Sequence, residues 1–293
     1  MATPAEWVAG ARPRTLPAAV APVAVGTGAA AAIDRADLGL GLLALLVALL
    51  LQVGVNYAND YSDGVRGTDQ VRVGPVRLVG QGLAVPAYVK QAAFACFGLA
   101  AVAGLALSAL SGVWWLIVVG AVSILAAWRY TGGDRPYGYR GLGEVYVFVF
   151  FGLVATLGTL YTQAHRVTGA GVLGAVAAGA IASAILVANN LRDIPTDTLH
   201  GKRTLAVRLG DARTRSLYAA LLALALVCGV VAALVARAPW ALAGPVLSLP
   251  LTIRQIRLAH SGATGRALIP LLARTGVLQL LFALPLAIGL ALA

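Results

Sequence analysis

Long apolar stretches alternate with short polar ones along this chain of 293 residues. Nine runs stand out, at about 16–33, 38–57, 89–110, 113–129, 144–163, 170–190, 216–236, 239–257 and 267–292. Each approaches the roughly 20 residues that a helix needs to cross the hydrocarbon core of a bilayer. Backbone polar groups inside lipid must be satisfied within the spanning segment. The pattern therefore predicts an all-α fold, a polytopic membrane bundle of nine transmembrane helices. Two of the runs end in polar clusters: Asn56-Tyr57-Ala58-Asn59-Asp60-Tyr61-Ser62-Asp63 and Asn189-Asn190-Leu191-Arg192-Asp193-Ile194-Pro195-Thr196-Asp197.

The linkers form two sets. With each basic residue assigned to the nearer side, segments 1–15, 58–88, 130–143, 191–215 and 258–266 take 19 of the 22 Lys and Arg, all but Arg35, Arg166 and Arg237. The alternate segments are short. Basic residues favour the cytoplasmic side, so the first set is expected inside, with the N-terminus cytoplasmic and the C-terminus outside. Arg12 and Arg14 ahead of an Ala-rich stretch imitate a cleavable leader. Pro17 and Pro22 interrupt that stretch, and a retained first helix is expected.

Composition agrees with this reading. The chain is 60% hydrophobic and 11% charged, against roughly 25% charged in soluble domains. The formal charge of +11 follows from the basic linkers, and no nucleic-acid partner is expected. Cys96 and Cys228 sit singly in apolar runs, so neither a disulfide nor a zinc site is expected. The three histidines, His165, His200 and His260, lack ligand spacing.

Eleven acids occur, and all but Asp34 and Asp37 fall on the cytoplasmic side. The basic-residue rule does not explain that clustering. Asn56, Asp60 and Asp63 step by four and three, which places them on one helical face. Asn189, Asp193 and Asp197 step by four and four. Acids at a helix C-terminus oppose the helix dipole and call for a compensating positive charge. A divalent cation supplies it, because carboxylates and amide carbonyls are the hard oxygen ligands that Mg2+ takes, commonly with phosphate oxygens. Lys202 and Arg203 follow the second cluster. Acids and bases around one pocket suit a diphosphate, with a metal bridging the acids to phosphate and the cations binding the remaining oxygens. The competing reading of Lys202 and Arg203 is ordinary cytoplasmic charge. Pro195 is expected to bend or end its helix. The repeat of Asn-x-x-x-Asp at 56–60 and 189–193 hints at two pseudo-repeats of about four helices plus a final helix.

The two acidic motifs together with Gly-Lys-Arg-Thr-Leu-Ala-Val-Arg-Leu-Gly at Gly201–Gly210 resemble the UbiA-type intramembrane aromatic prenyltransferases, over nearly the whole chain. Within that family the likeness is closer to the branch acting on 1,4-dihydroxy-2-naphthoate in menaquinone synthesis. It is carried by Arg12–Ala18, Gly64–Asp69, Tyr130–Gly133 and Pro136–Glu144. The family's first motif often reads Asn-Asp-x-x-Asp-x-x-x-Asp. Here the third acid position is Gly67, and Asp69 is its candidate substitute.

The resemblance implies a single transmembrane prenyltransferase domain over 1–293, in the inner membrane of a bacterium, with its active site at the cytoplasmic face. It implies Mg2+ held by Asp60, Asp63, Asp193, Asp197 and Asp69, the first four serving catalysis. Asn56, Asn59, Asn189, Lys202 and Arg203 would bind the diphosphate of a polyprenyl donor. The anionic acceptor, 1,4-dihydroxy-2-naphthoate, would meet Arg12, Arg14 and Arg140, with Tyr137 and Tyr139 lining the pocket. A different aromatic acceptor, such as 4-hydroxybenzoate, is the nearer rival. An ion transporter is the rival from another class, and the absence of acids deep within the runs argues against it.

Overall fold

The computed structural model describes residues 2–67 and 76–293, and among them regular structure is helical, with no strand. A short helix α1 (Pro4–Gly10) leads into α2 (Pro17–Ala31), α3 (Leu38–Val65), α4 (Pro86–Ser111) and α5 (Leu116–Arg129). Then come α6 (Gly143–Ala164), α7 (Gly169–Leu199), the short α8 (Leu205–Leu209), α9 (Asp211–Val235), α10 (Ala243–His260) and α11 (Ile269–Ala291).

Each expected apolar run falls on a helix. Among the described residues six helical segments, Leu38–Val65, Pro86–Ser111, Gly143–Ala164, Gly169–Leu199, Asp211–Val235 and Gly265–Ala291, are long and apolar enough to cross a membrane. Helices α2 and α5 are apolar but shorter, and α10 ends in the charged turn of Arg254, Arg257 and His260. Local sequence sets the helix starts. The Asp37 carboxylate accepts the Leu40 N–H at 2.9 Å and opens α3; the Thr168 hydroxyl accepts the Gly171 N–H at 3.0 Å and opens α7. Both satisfy donors that a helix start leaves free. Pro17 and Pro86 stand in the first turns of α2 and α4, where a missing N–H costs nothing.

Two helices run further than their apolar stretches. Helix α3 continues eight residues past 57 and α7 nine past 190, so both polar motifs are helical. Of the bend or end expected at Pro195, the end does not occur. The Thr196 and Thr198 hydroxyls donate to the carbonyls of Asp193 and Ile194, and the helix continues to Leu199.

The helices pack as two bodies. In the first, α7 is the axis and 72% of its most apolar window is buried. Around it α2, α9 and α11 bring Tyr218, Leu222, Leu278, Phe282 and Leu286 into one core. In the second, α3 packs on α4 through Tyr57, Ala58, Val89, Ala93 and Phe97. Only 22% of α3's apolar window is buried, and Leu38, Leu42 and Leu46 project outward at helical spacing, as lipid-facing residues do. Lipid tails remove most of the hydrophobic drive between helices, so close backbone approach carries more of the association. Helices α6 and α7 show this: a Cβ on Gly152 would come within 2.5 Å of the Gly179 Cα. Gly152 lies in a π-helical stretch of α6, Phe148–Val154. The close approach seats the start of α6 against the site-bearing end of α7.

Candidate active site

A cavity of about 1010 Å³ lies between the two bodies. Its wall on α3 is Ala44, Val47, Ala48, Leu51, Gln52, Val55, Asn56, Asn59 and Asp63, spaced by three and four. Nineteen positions at about 1.5 Å each make that stripe roughly 28 Å long, near the full depth of a hydrocarbon core. The lower part is apolar, lined also by α4, α5 and α6. The charged residues gather at the other end, where α3 and α7 bring their motifs. Among the described residues five cations, Arg12, Arg14, Arg77, Arg192 and Lys202, and two carboxylates, Asp63 and Asp197, line the cavity.

Each motif contributes one lining acid and one acid held behind the wall. Asp60 is fully buried, and its carboxylate accepts the backbone N–H groups of Leu78 at 2.7 Å and Val79 at 3.1 Å. It fixes the turn that follows the first motif. Asp63, one turn on, faces the cavity. Lys202 Nζ stands 3.2 Å from its Oδ1 and Arg77 Nη2 4.0 Å from its Oδ2, and the Tyr139 hydroxyl donates to it. In the second motif Asp193 takes Arg192 in a two-pronged pair, Nε to Oδ1 at 2.7 Å and Nη2 to Oδ2 at 2.8 Å. Arg192 Nη2 also reaches Asn189 Oδ1 at 2.8 Å. Asp197, one turn on, lines the cavity. The Lys202–Asp63 contact joins residues 139 positions apart, so the two motifs meet at one end of one cavity.

The amides divide similarly. The Asn56 amide donates to the carbonyl of Ala11 at 2.8 Å and the hydroxyl of Thr15 at 2.9 Å, and Gln52 reaches the same hydroxyl at 2.9 Å. These bonds hold the Arg12–Arg14 turn over the cavity. Arg12 itself adopts a left-handed backbone, φ 54°, a conformation uncommon outside glycine that the surrounding bonds must hold. The carbonyl of Asn59 accepts the Thr131 hydroxyl at 2.8 Å.

Aromatic rings form the remaining wall. Tyr137 stacks on Tyr146 with centroids 3.8 Å apart and 5.5 Å from that of Tyr130. Burial first, then the neighbouring Tyr130 and Tyr146, pushes the Tyr137 phenol well above its ordinary range. It stays neutral and donates to the Ala126 carbonyl at 2.9 Å. Tyr139 lies under Lys202 at 4.6 Å and Arg66 at 5.3 Å.

Of the residues named from sequence, Asn56, Asn59, Asp63, Asn189, Asp197, Lys202, Arg12, Arg14, Tyr137 and Tyr139 line the cavity. Asp60 and Asp193 stand behind it. Arg140 and Arg203 are exposed and outside its lining. The Arg203 backbone N–H instead ties the loop after α7 to the Tyr139 carbonyl at 3.0 Å. Asp69 lies outside the described residues. Sequence reasoning missed Arg77, Arg192, Asn190, Tyr130 and Tyr146. Arg192 and Asn190 stood inside the second motif, and a 3–4 stripe drawn back from Asp197 reaches Asn190.

Among the described residues no three His, Cys, Asp or Glu side chains converge closely enough to complete a metal site. The lining acids are hard oxygen donors, one from each motif. Mg2+ is usually held by one or two carboxylates together with substrate phosphates and water. Asp63 and Asp197 fit that manner of binding.

A bundle of membrane-length helices enclosing one cavity with a charged head and an apolar shaft defines an intramembrane protein built to receive an amphiphilic anion. The UbiA prenyltransferase family model matches residues 19–273, and the chain belongs to that family. It is 58% identical over 291 residues to a 1,4-dihydroxy-2-naphthoate octaprenyltransferase of Mycobacterium tuberculosis, covering 99% of this chain and 98% of that one. With the protein of the same description from Escherichia coli it shares 41% identity over 276 residues, 92% and 89% of the two chains. A solved UbiA homolog from Archaeoglobus fulgidus, bound to GPP and Mg2+, superposes with a TM-score of 0.69 at 15% identity, covering 98% of this chain and all of that one (100%). An apo UbiA homolog from Aeropyrum pernix superposes with a TM-score of 0.70 at 15% identity, covering 94% and 96%.

Proposed function

We propose that the chain transfers a polyprenyl group from polyprenyl diphosphate to 1,4-dihydroxy-2-naphthoate, giving the reduced (quinol) form of demethylmenaquinone, CO2 and diphosphate. One observation carries the reading. A single cavity joins a cationic, carboxylate-bearing head to an apolar shaft about 28 Å long, the shape and polarity of a diphosphate with an isoprenoid tail. The identity to the mycobacterial octaprenyltransferase supports the acceptor.

In this reading the diphosphate lies at the head, against Lys202 and Arg77, with Asn59 and Asn189 beside it. Asp63 and Asp197 would hold Mg2+, which when bound supplies neutralising charge to the leaving diphosphate. Asp60 and Asp193 serve by fixing the turn at Leu78 and the Arg192 guanidinium. The allylic C–O bond breaks with its electron pair going to the diphosphate, and Lys202 and Arg77 stabilise the charge that gathers there. Tyr137, Tyr139 and Tyr146 line the wall where the allylic cation would form. Apolar walls keep water from capturing it. The ring carbon supplies the electron pair for the new C–C bond, and the carboxylate carbon departs as CO2. Arg12 and Arg14 orient that carboxylate, held in place by Asn56.

The placement in the membrane follows from the loops. Nine helices, the six of spanning length together with the shorter α2, α5 and α10, cross the bilayer as one domain. The excess of basic residues in one set of linkers supports a cytoplasmic cavity head and N-terminus, in a bacterial inner membrane. The two acid-tipped helices, α3 and α7, stand as the second and sixth spans of two pseudo-repeats.

The test is an assay in membranes with labelled polyprenyl diphosphate and Mg2+. Lipid-soluble labelled product formed with 1,4-dihydroxy-2-naphthoate is the expected result. Product with 4-hydroxybenzoate alone reassigns the acceptor, and no product with any aromatic acid ends the reading.

A further inference from the structure

Glu144 is a carboxylate in an unusual place. It sits in the first turn of α6 and is 6% exposed. No ion pair reaches it among the described residues. Its Oε1 accepts the amide of Asn190 at 2.9 Å, and its Oε2 has no hydrogen-bond partner. The Ser183 hydroxyl, two helical turns before Asn190, donates to the Glu144 backbone carbonyl at 3.2 Å and fixes α6 on α7. A buried carboxylate with one amide partner is costly, which points to a task beyond packing.

The consequence falls on Asn190, which lines the cavity beside Tyr130, Tyr137 and Tyr146. Its amide nitrogen is committed to Glu144. A carboxylate accepts and does not donate, so the pair sets the amide's orientation and leaves the carbonyl oxygen toward the cavity. No protein donor reaches that oxygen among the described residues. It is thus a fixed hydrogen-bond acceptor. A diphosphate and a ring carboxylate are themselves acceptors, and an isoprenoid tail has no polar hydrogen. The ring hydroxyls are the donors the substrates bring.

Building on the function proposed above, we propose that Asn190 receives a ring hydroxyl of the aromatic acceptor and that Glu144 is the positioning residue that holds it ready. The hydroxyl becomes more acidic as the ring gives up electrons to the allylic carbon. An acceptor aimed at it, held in place by a buried carboxyl group, stabilises that stage more than the resting ring. Rings without a hydroxyl at that position lose the contact, so the pair also sets which ring is accepted.

The test uses the purified full chain with a non-reactive donor analogue and Mg2+. Equilibrium binding is measured for 1,4-dihydroxy-2-naphthoate, 1-hydroxy-2-naphthoate and 4-hydroxy-2-naphthoate. The wild-type chain should bind the dihydroxy ring about tenfold or more tightly than one of the two monohydroxy rings. Asn190→Ala should erase that gap and leave donor binding unchanged. Glu144→Gln, whose amide oxygen still accepts from Asn190, should keep the gap, and Glu144→Ala should narrow it. A gap that survives in both Asn190→Ala and Glu144→Ala overturns the proposal, as does equal weakening of donor and acceptor. If Asn190→Ala does not fold, the Glu144 pair decides by the same criterion. Failure of the parent reading looks different: the wild-type chain then makes no prenylated naphthoate in the activity assay, whatever its binding preferences.

Discussion

The two acidic motifs end different helices in differently packed halves of the molecule, yet they divide their labour in the same way. In each, the leading acid is held by protein and the acid one turn later meets the cavity. The supports differ. Asp60 is held by the backbone N–H groups of Leu78 and Val79, so the first motif and the turn beyond it stand or fall together. Among the described residues Asp193 is held by Arg192 and Asn189 of its own helix. Helix α7 is the buried axis of its half. Helix α3, largely facing lipid, takes its brace from the turn beyond it. Similar spacing of acids therefore does not mean equivalent acids.

That comparison can be broken by substitution. The largest effect belongs to the lining acids. Asp63→Ala and Asp197→Ala should each lower turnover on the order of a thousandfold while the chain remains folded in membranes, as checked by extraction and thermal unfolding. The acids behind the wall should act first on stability. Asp60→Ala leaves two buried N–H groups without their charged acceptor, a loss of about 2–4 kcal/mol. Asp193→Ala strands a buried guanidinium and costs roughly 3–5 kcal/mol. Thermal inactivation should show both losses. In cold assays, where the fold survives, Asp60→Ala should turn over faster than Asp63→Ala, and the reverse order would erase the distinction. Next comes Lys202→Met, which removes a cation from the head and should raise the donor KM about tenfold, with the acceptor KM little changed. The smallest effect is expected at Arg140. Its side chain is exposed, and Arg140→Ala should stay within about twofold for both substrates. A selective rise in acceptor KM would return it to the site.

Much of this was legible in the chain. Apolar length located every long helix, because bilayer thickness sets that length directly. The motifs located the site, because acids at the C-terminal end of an apolar helix oppose its dipole and demand a positive partner. Helical spacing alone did not sort Asp60 from Asp63. Both lie near one face, some 60° apart around the axis at about 100° per residue, and only the α4 side and the Leu78 turn decide which is wall and which is cavity. The stripe Ala44, Ala48, Gln52, Val55, Asn59 and Asp63 held that answer, since a cavity wall must continue in register. Arg77 had no such signal: it follows a polar linker, and its place depends on the turn anchored by Asp60. Arg140 misled because its motif surroundings, Tyr137 and Tyr139, do line the cavity while the arginine turns outward. Glu144 and Asn190 are 46 positions apart, and they meet because their helices pack closely, through Gly152 on Gly179 and the Ser183 bond to the Glu144 carbonyl.

The central claim is that both motifs grip one diphosphate. A double-mutant cycle on donor binding tests it most directly, using a non-hydrolysable polyprenyl thiodiphosphate with Mg2+ and the Asp63→Ala, Asp197→Ala and doubly substituted chains. A shared ligand requires coupling, so the double variant should bind little more weakly than the poorer single one. Losses that simply add would mean two independent sites and would contradict the account.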